Sequence, residues 1–310
     1  MVLPKLPFRV EIELLNVCNL DCINCYAKPF DGSIPPYEDV SYLIKKTKKE
    51  VNPFELILLG GEPFIRKDIV KLLDLCKENF NGSIGISTNG TLLTRLNQKE
   101  ITKLREISTS PIIQVSIDST DYNINDLLRG KTEKVLEGIN FLNTNEIPFT
   151  IGIVMSKINL KSIETTIRNF SKLQYLKAFN LEELQPAKCV KEERYNSLCL
   201  SAREMIDVTE MSKSIVNHMG RKDISVHGFS EDNTNSLPLF YENDVTEREN
   251  IIQVVRAGVL ANGNVTPGAI SRDIILGNLY KESWSDIWKK GVKIYEEARN
   301  KNIQKLKVMK

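Results

Sequence analysis

Histidine is scarce in this sequence: 310 residues contain two, His218 and His227, both far along the chain. No paired-histidine zinc motif can be built from them, and no Ser/His/Asp set or phosphate-binding glycine loop accompanies them. An excess of one charge is also missing. Forty-two Lys and Arg face forty Asp and Glu, a formal net charge of +2, so a nucleic-acid partner has no electrostatic case. The Lys-rich run from Lys45 to Lys49 reads as a solvated helix face. No apolar run approaches the roughly 20 residues of a membrane-crossing helix. The N-terminus lacks the basic-then-apolar pattern of a secretion signal, and the expectation is a soluble, cytoplasmic protein without a membrane partner. Cysteines are too few for a disulfide framework in a chain this long.

What the six cysteines do instead is cluster. Cys18, Cys22 and Cys25 fall within eight positions, spaced C-x3-C-x2-C. Just before them Phe8 to Leu15 alternates apolar and polar residues like a half-buried strand, which places the triplet on the loop that follows. Thiolates gathered on a loop are soft ligands, suited to zinc, copper(I) or iron–sulfur iron. Zinc wants a fourth ligand, and an electron-transfer cluster wants four cysteines. No fourth Cys or His is near in sequence. Three thiolates therefore suggest a 4Fe-4S cluster with one iron open to a ligand, with a zinc loop or three buried thiols as the plainer alternatives.

The rest of the chain alternates strand and helix. Phe54 to Leu59 is a short apolar run ending in Gly60-Gly61, as a buried parallel strand would. Further strands are expected over Ser83–Ser87, Ile112–Asp118, Pro148–Met155 and Phe179–Leu184. Helices are expected over Val40–Glu50, Asp68–Phe80, Asn97–Ile107, Thr132–Thr144 and Leu160–Leu173, with Lys28–Asp39 irregular. Cys76 falls on the apolar stripe of its helix and reads as core. Strands separated by amphipathic helices predict βαβ units, and six of them predict an α/β fold: a partial (β/α)6 TIM-like barrel. Functional residues of such folds gather at the C-terminal ends of the strands. The cysteine loop, Gly60-Gly61-Glu62-Pro63, Ser87-Thr88-Asn89-Gly90 and Ser116-Ile117-Asp118 are then expected on one rim.

Taken together, these stretches resemble the radical S-adenosylmethionine (SAM) superfamily. The cysteine triplet matches its cluster motif, Gly60 to Pro63 its SAM-amine motif, and Ser87 to Gly90, Val115 to Ser119 and Leu128-Arg129-Gly130 its later strand exits. The resemblance spans roughly residues 8 to 190. It implies that Cys18, Cys22 and Cys25 hold one 4Fe-4S cluster and that SAM binds its open iron. It also implies that Gly60, Gly61, Glu62 and Pro63 meet the SAM ammonium, and that Ser116 and Asp118 hydrogen-bond the ribose. Arg129 would take the SAM carboxylate, while Tyr26, Ser87 and Asn89 would line the groove. Reductive cleavage of SAM to a 5′-deoxyadenosyl radical, which takes hydrogen from a peptide or small metabolite, is the implied activity. A flavodoxin- or ferredoxin-type electron donor is the implied partner. Asn24 departs from the pattern, since an aromatic or histidine commonly precedes the third cysteine.

Beyond Pro186 the βα period stops. Lys188–Tyr195 reads as a charged loop, and Ser201–Met219 as a long helix with Ser201 and Glu204 in a capping box. Gly228–Asn250 is polar and irregular. Ile251–Leu260 is strand-like, Asn262-Gly263-Asn264 a hairpin turn, Val265-Thr266 extended, and Ser283–Arg299 a closing helix. The division expected is 1–190 for the barrel and 191–310 for a small α+β extension. That extension resembles the SPASM or twitch appendage of peptide-modifying relatives. Ala257 and Gly268 stand where that family usually has cysteines, and none lies beyond Cys199. Auxiliary clusters are therefore not expected. Cys189 and Cys199 read either as plain thiols or as hydrogen-atom donors to a substrate radical, as in some peptide epimerases of the superfamily. Two readings from other classes stay open, a non-catalytic iron–sulfur sensor or carrier and a structural zinc protein.

Overall fold

The computed structural model describes residues 6–108, 112–185, 192–230, 256–269 and 272–293. Six βα units run in order. They are β1 (Arg9–Glu13) with α1 (Tyr37–Glu50), β2 (Glu55–Leu59) with α2 (Ile69–Asn79), and β3 (Ser83–Thr88) with α3 (Gln98–Ile107). Next come β4 (Ile113–Ser116) with α4 (Tyr122–Leu128) and α5 (Thr132–Thr144), β5 (Phe149–Met155) with α6 (Ile163–Phe170), and β6 (Leu176–Glu183). Each strand pairs in parallel with the next, as a partial (β/α)6 barrel requires.

The alternation along the strands sorts the two faces. Val10, Ile12, Leu56, Leu58, Ile113, Val115, Ile151, Ile153, Phe179 and Leu181 are buried beneath the helices. Their in-register neighbours turn the other way and are largely polar: Arg9, Glu11 and Glu13 on β1, Gln114 and Ser116 on β4, Asn180 and Glu182 on β6. One side of the sheet is an apolar core, while the inner, concave side carries these polar side chains rather than packed layers of Val and Leu.

Helix starts follow local chemistry. Asn97 and Glu100 form a capping box at α3, and Ser201 and Glu204 form the one the sequence suggests at α8 (Ala202–His218). Three departures are instructive. Residues 160–173 hold a 3-10 turn over Leu160–Ser162 before α6 rather than one helix. β6 begins at Leu176, three residues before the expected start. The charged stretch read as a loop runs into α7 (Glu192–Leu198), on which Glu193, Asn196 and Ser197 are exposed. The expectations for residues 188–191, 231–255 and 294–310 lie outside the described residues, Cys189 among them.

The last third of the chain joins both edges of the same sheet. β7 (Ser225–His227) pairs with β6, and β8 (Arg256–Val259) pairs in parallel with β1. β8 turns back through the expected hairpin into β9 (Asn264–Thr266), followed by β10 (Gly277–Asn278). The sheet thus has ten strands among the described residues, in the order β10-β9-β8-β1-β2-β3-β4-β5-β6-β7. Residues 284–293 are helical and bury Trp284 and Trp288. Trp284 donates its backbone N–H to Glu50 Oε2 at 2.8 Å and its indole N–H to Thr47 Oγ1 at 3.3 Å, fastening this helix to α1.

Candidate active site at the C-terminal rim

The chain leaving β1 and the chain leaving β2 run on together. The Gly61 amide donates to Leu15 O at 3.2 Å and the Glu62 amide to Val17 O at 2.9 Å. The approach is so close that a Cβ on Gly61 would lie 1.9 Å from Val17 O, within the chain that leads into Cys18. Glycine at 61 is therefore a steric condition for placing the cysteine loop. Farther along that loop the Ile23 amide donates to Leu128 O at 3.0 Å, and the Cys22 thiol donates to Arg129 O at 3.7 Å. The Asn89 side-chain amide points at Cys18 Sγ, 3.8 Å away, and donates to Asn19 Oδ1 at 2.9 Å. Exits of β1, β2, β3 and β4 thus converge on the loop that carries the three cysteines.

Glu62 sits between the exits of β2 and β3. It is fully buried. Its Oε1 accepts from the Phe64 amide at 2.9 Å and from Thr88 Oγ1 at 2.7 Å, and its Oε2 from the Asn89 amide at 2.7 Å. Burial raises its pKa against the pull of these three donors. The carboxylate therefore ties the exits of β2 and β3 together, and the surface left for a ligand at Gly60 to Pro63 is mainly backbone. Pro63 opens the 3-10 turn Pro63–Ile65.

Asp118 and Arg129 hold each other: Arg129 Nε donates to Asp118 Oδ2 at 2.6 Å and Nη2 to Oδ1 at 2.9 Å. Asp118 Oδ1 further accepts from the Val154 amide at 2.9 Å. Burial opposes the charge on Arg129, but Asp118 outweighs it and the guanidinium pKa rises. Arg129 lies at the C-terminal cap of α4, a helix the sequence reading did not anticipate. Ser87 and Ser116 sit half-buried on the inner face. Tyr26 is half-buried there too. Burial raises its phenol pKa, and the carboxylate of Glu11 raises it further. Cys199 lies at the end of α7, where its thiol donates to Asn196 O at 3.6 Å. Cys76 is fully buried in the core, as its helical phase predicts.

The donor set fits an iron–sulfur cluster. Burial raises the pKa of Cys18, Cys22 and Cys25, with Cys25 pushed up to about 11. The neighbouring thiols add to that rise at Cys25, so the three feel one another's charge. Such thiols ionise together only when positive charge arrives with the ligand they bind. Between them the buried Asn24 Oδ1 has no hydrogen-bond partner. Among the described residues no three Cys, His, Asp or Glu side chains converge on a point that would hold a single ion. Three thiolates on one loop suit a cluster, each cysteine of which binds a different iron.

The profile of the Radical SAM superfamily matches residues 12–170. The chain belongs to the radical SAM superfamily. Enzymes of this superfamily use a 4Fe-4S cluster and SAM, which decides against the zinc and non-catalytic sensor readings. Among curated relatives, an uncharacterized protein of Methanocaldococcus jannaschii is 29% identical over 225 residues, 69% of this chain and 72% of that one. A probable GTP 3′,8-cyclase of the same organism is 26% identical over 160 residues, 50% of this chain and 52% of that one. The mycofactocin maturase MftC of Mycolicibacterium smegmatis is 26% identical over 164 residues, 51% of this chain and 40% of that one. Among solved structures, Streptococcus suis SuiB bound to the precursor peptide SuiA superposes with a TM-score of 0.70 at 18% identity, covering 92% of this chain and 65% of SuiB. The chain thus spans 72% of the uncharacterized relative, but only about half of the probable GTP 3′,8-cyclase and 40% of MftC. No described helix is long and apolar enough to cross a membrane.

Sequence reasoning missed Glu182, Gln114 and Asn180, which meet on the inner face. A signal was present: polar residues at alternate positions of strands otherwise buried.

Proposed function

We propose that this radical SAM enzyme acts on a peptide, removing a hydrogen atom from it. The observation that carries the reading is the convergence of the three-cysteine loop with the exits of β2, β3 and β4 over a polar concavity. The peptide is supported by the name of the mycofactocin maturase and by the precursor peptide bound to SuiB. A small metabolite is the second reading, favoured by the GTP 3′,8-cyclase relative.

In this reading Cys18, Cys22 and Cys25 hold one cluster, which with SAM supplies the organic radical. The backbone of Gly60 to Pro63 meets the SAM ammonium. Tyr26, Ser87, Asn89 and Ser116 line the groove, and the Asp118–Arg129 pair forms its wall at β4, with donor capacity on Arg129 for the SAM carboxylate. Cys199 or Cys189 returns a hydrogen atom to the substrate. Residues 191–310 act as a SPASM/twitch-like region without cluster cysteines, and a flavodoxin- or ferredoxin-type protein delivers the electron.

The test is anaerobic reconstitution with iron, sulfide, SAM and a reductant, followed by mass spectrometry for 5′-deoxyadenosine. The expected result is about four iron and four sulfide per chain and SAM cleavage that disappears in Cys18→Ala, Cys22→Ala and Cys25→Ala. About eight iron per chain overturns the single cluster, and absence of 5′-deoxyadenosine from the wild-type protein overturns the reading as a whole. A Cys199→Ala or Cys189→Ala variant that still cleaves SAM but yields a diverted product identifies the hydrogen donor. Normal product from both makes them bystanders.

A further inference from the structure

The inner face of the sheet carries one carboxylate without a matching cation. Arg9 forms ion pairs with Glu11 at 2.9 Å and Glu55 at 3.2 Å. Arg272 pairs with Glu13, and the Ala269 amide donates to Glu11 Oε2 at 2.9 Å. Arg129 is taken by Asp118. These inward charges are therefore answered from within the chain. Glu182 differs: among the described residues no Lys, Arg or His stands within ion-pair distance of it.

Its carboxylate is nevertheless built in place. Gln114 Nε2 donates to Glu182 Oε1 at 2.9 Å, and Asn180 Nδ2 donates to Gln114 Oε1. Gly152 on β5 makes room for this relay, since a Cβ there would lie 2.7 Å from Gln114 Nε2. Residues on β4, β5 and β6 thus fix the direction of the carboxylate without neutralising it. The side chain is open to the concavity, yet enclosed enough that burial raises its pKa. The Gln114 hydrogen bond and the more distant Arg129 and Arg9 oppose that rise, while Asp118 adds to it. An oriented anion in such a place gains most from a cation that brings its own hydrogen-bond donors.

We propose that Glu182, oriented by Gln114 and Asn180, is a specificity-determining residue that recognises an alkylammonium or guanidinium group on the substrate. The proposal rests on the peptide-modifying reading above, in which the basic group is a lysine or arginine side chain.

The experiment uses reconstituted enzyme with SAM and reductant, and a set of synthetic hexapeptides identical except for one residue: Lys, Arg, norleucine or Glu. Cadaverine serves as the free-amine arm. The readout is 5′-deoxyadenosine formed with each probe, divided by that formed by the same preparation without probe. Wild-type enzyme is expected to respond to the Lys and Arg peptides about ten- to a hundred-fold more than to the norleucine peptide, the range of one charge-assisted hydrogen bond. Glu182→Gln should erase that preference, and Glu182→Lys should turn it toward the Glu peptide. Equal wild-type response to Lys and norleucine, no response to any probe, or a preference that survives Glu182→Gln overturns the proposal. So does weakened SAM affinity in Glu182→Gln with the preference unchanged, because the carboxylate then serves SAM. Stimulation by cadaverine but not by the Lys peptide supports cation recognition and overturns a peptide as its source. Failure of the wild-type protein to form any 5′-deoxyadenosine strikes the underlying reading instead, so the two failures are distinct.

Discussion

Arg129 and Asp118 clasp each other through two parallel hydrogen bonds, Nε to Oδ2 at 2.6 Å and Nη2 to Oδ1 at 2.9 Å, where β4 reaches the rim. The same arginine offers its backbone carbonyl to the Cys22 thiol, so one residue links the β4 exit to the cysteine loop. Fork-to-fork pairing of this kind fixes geometry as well as charge.

Removing one member of that pair leaves the other as an unanswered charge in a buried place. Arg129→Gln is expected to cost about 3–5 kcal/mol of stability. Asp118→Asn should cost a similar amount, and the double variant less than the sum. Urea denaturation of the four proteins gives the coupling energy directly. An unchanged denaturation midpoint for Arg129→Gln would show that the pair does not support the fold, leaving ligand binding as the role of Arg129. Iron uptake by Arg129→Gln should also fall, because the Cys22 anchor loosens with the chain at 129.

Gly61 makes a second claim on the loop. With a Cβ only 1.9 Å from Val17 O, Gly61→Ala cannot be absorbed by rotating a side chain, since the obstacle is backbone. The chain from Val17 to Cys18 must move, or β2 must end differently. The expected outcome is loss of stability in denaturant together with iron content well below that of the wild type after identical reconstitution. Full iron content and unchanged stability in Gly61→Ala would mean that the two loops are not locked together.

Much of this was legible in the sequence, and the illegible part has a common cause. Strand alternation and helix stripes are local, so the six βα units and the capping pair of Ser201 and Glu204 could be read directly. The cysteine triplet is local too. Glu62 looked like a ligand contact because two of its three donors are remote, Thr88 and Asn89 lying 26 and 27 positions on. Gln114 and Glu182 are 68 positions apart, and neither carries a motif. The pairing of β8 with β1 joins segments far apart in the chain, with the Glu11–Ala269 hydrogen bond spanning 258 positions. Nothing in Arg256-Ala257-Gly258-Val259 names its partner. α4 escaped notice because it has only seven residues, with Tyr122 and Leu127 exposed, so it shows no clear apolar stripe.

Glu183, the last residue of β6, yields a prediction about pH. Burial alone pushes its carboxyl up from the ordinary 4.5 to about 7, with no charged partner contributing. The folded chain therefore keeps a proton on Glu183 over a range in which the unfolded chain has released it. The contribution to stability is full below about pH 4.5, declines as pH rises, and is lost above about pH 7. Glutamine at 183 has no proton to lose, so Glu183→Gln should escape this decline. Thermal unfolding of both proteins between pH 5 and pH 8, at constant ionic strength, is the measurement (pH range of roughly three units, wide enough to bracket the folded-state titration). The wild-type Tm should fall relative to that of Glu183→Gln as pH increases, and the gap should level off at the alkaline end. Glu62 and Glu182, whose pKa values burial also raises, titrate in both proteins and cancel in the comparison. Parallel Tm curves across the range would place Glu183 in water when folded, contrary to its burial at the end of β6.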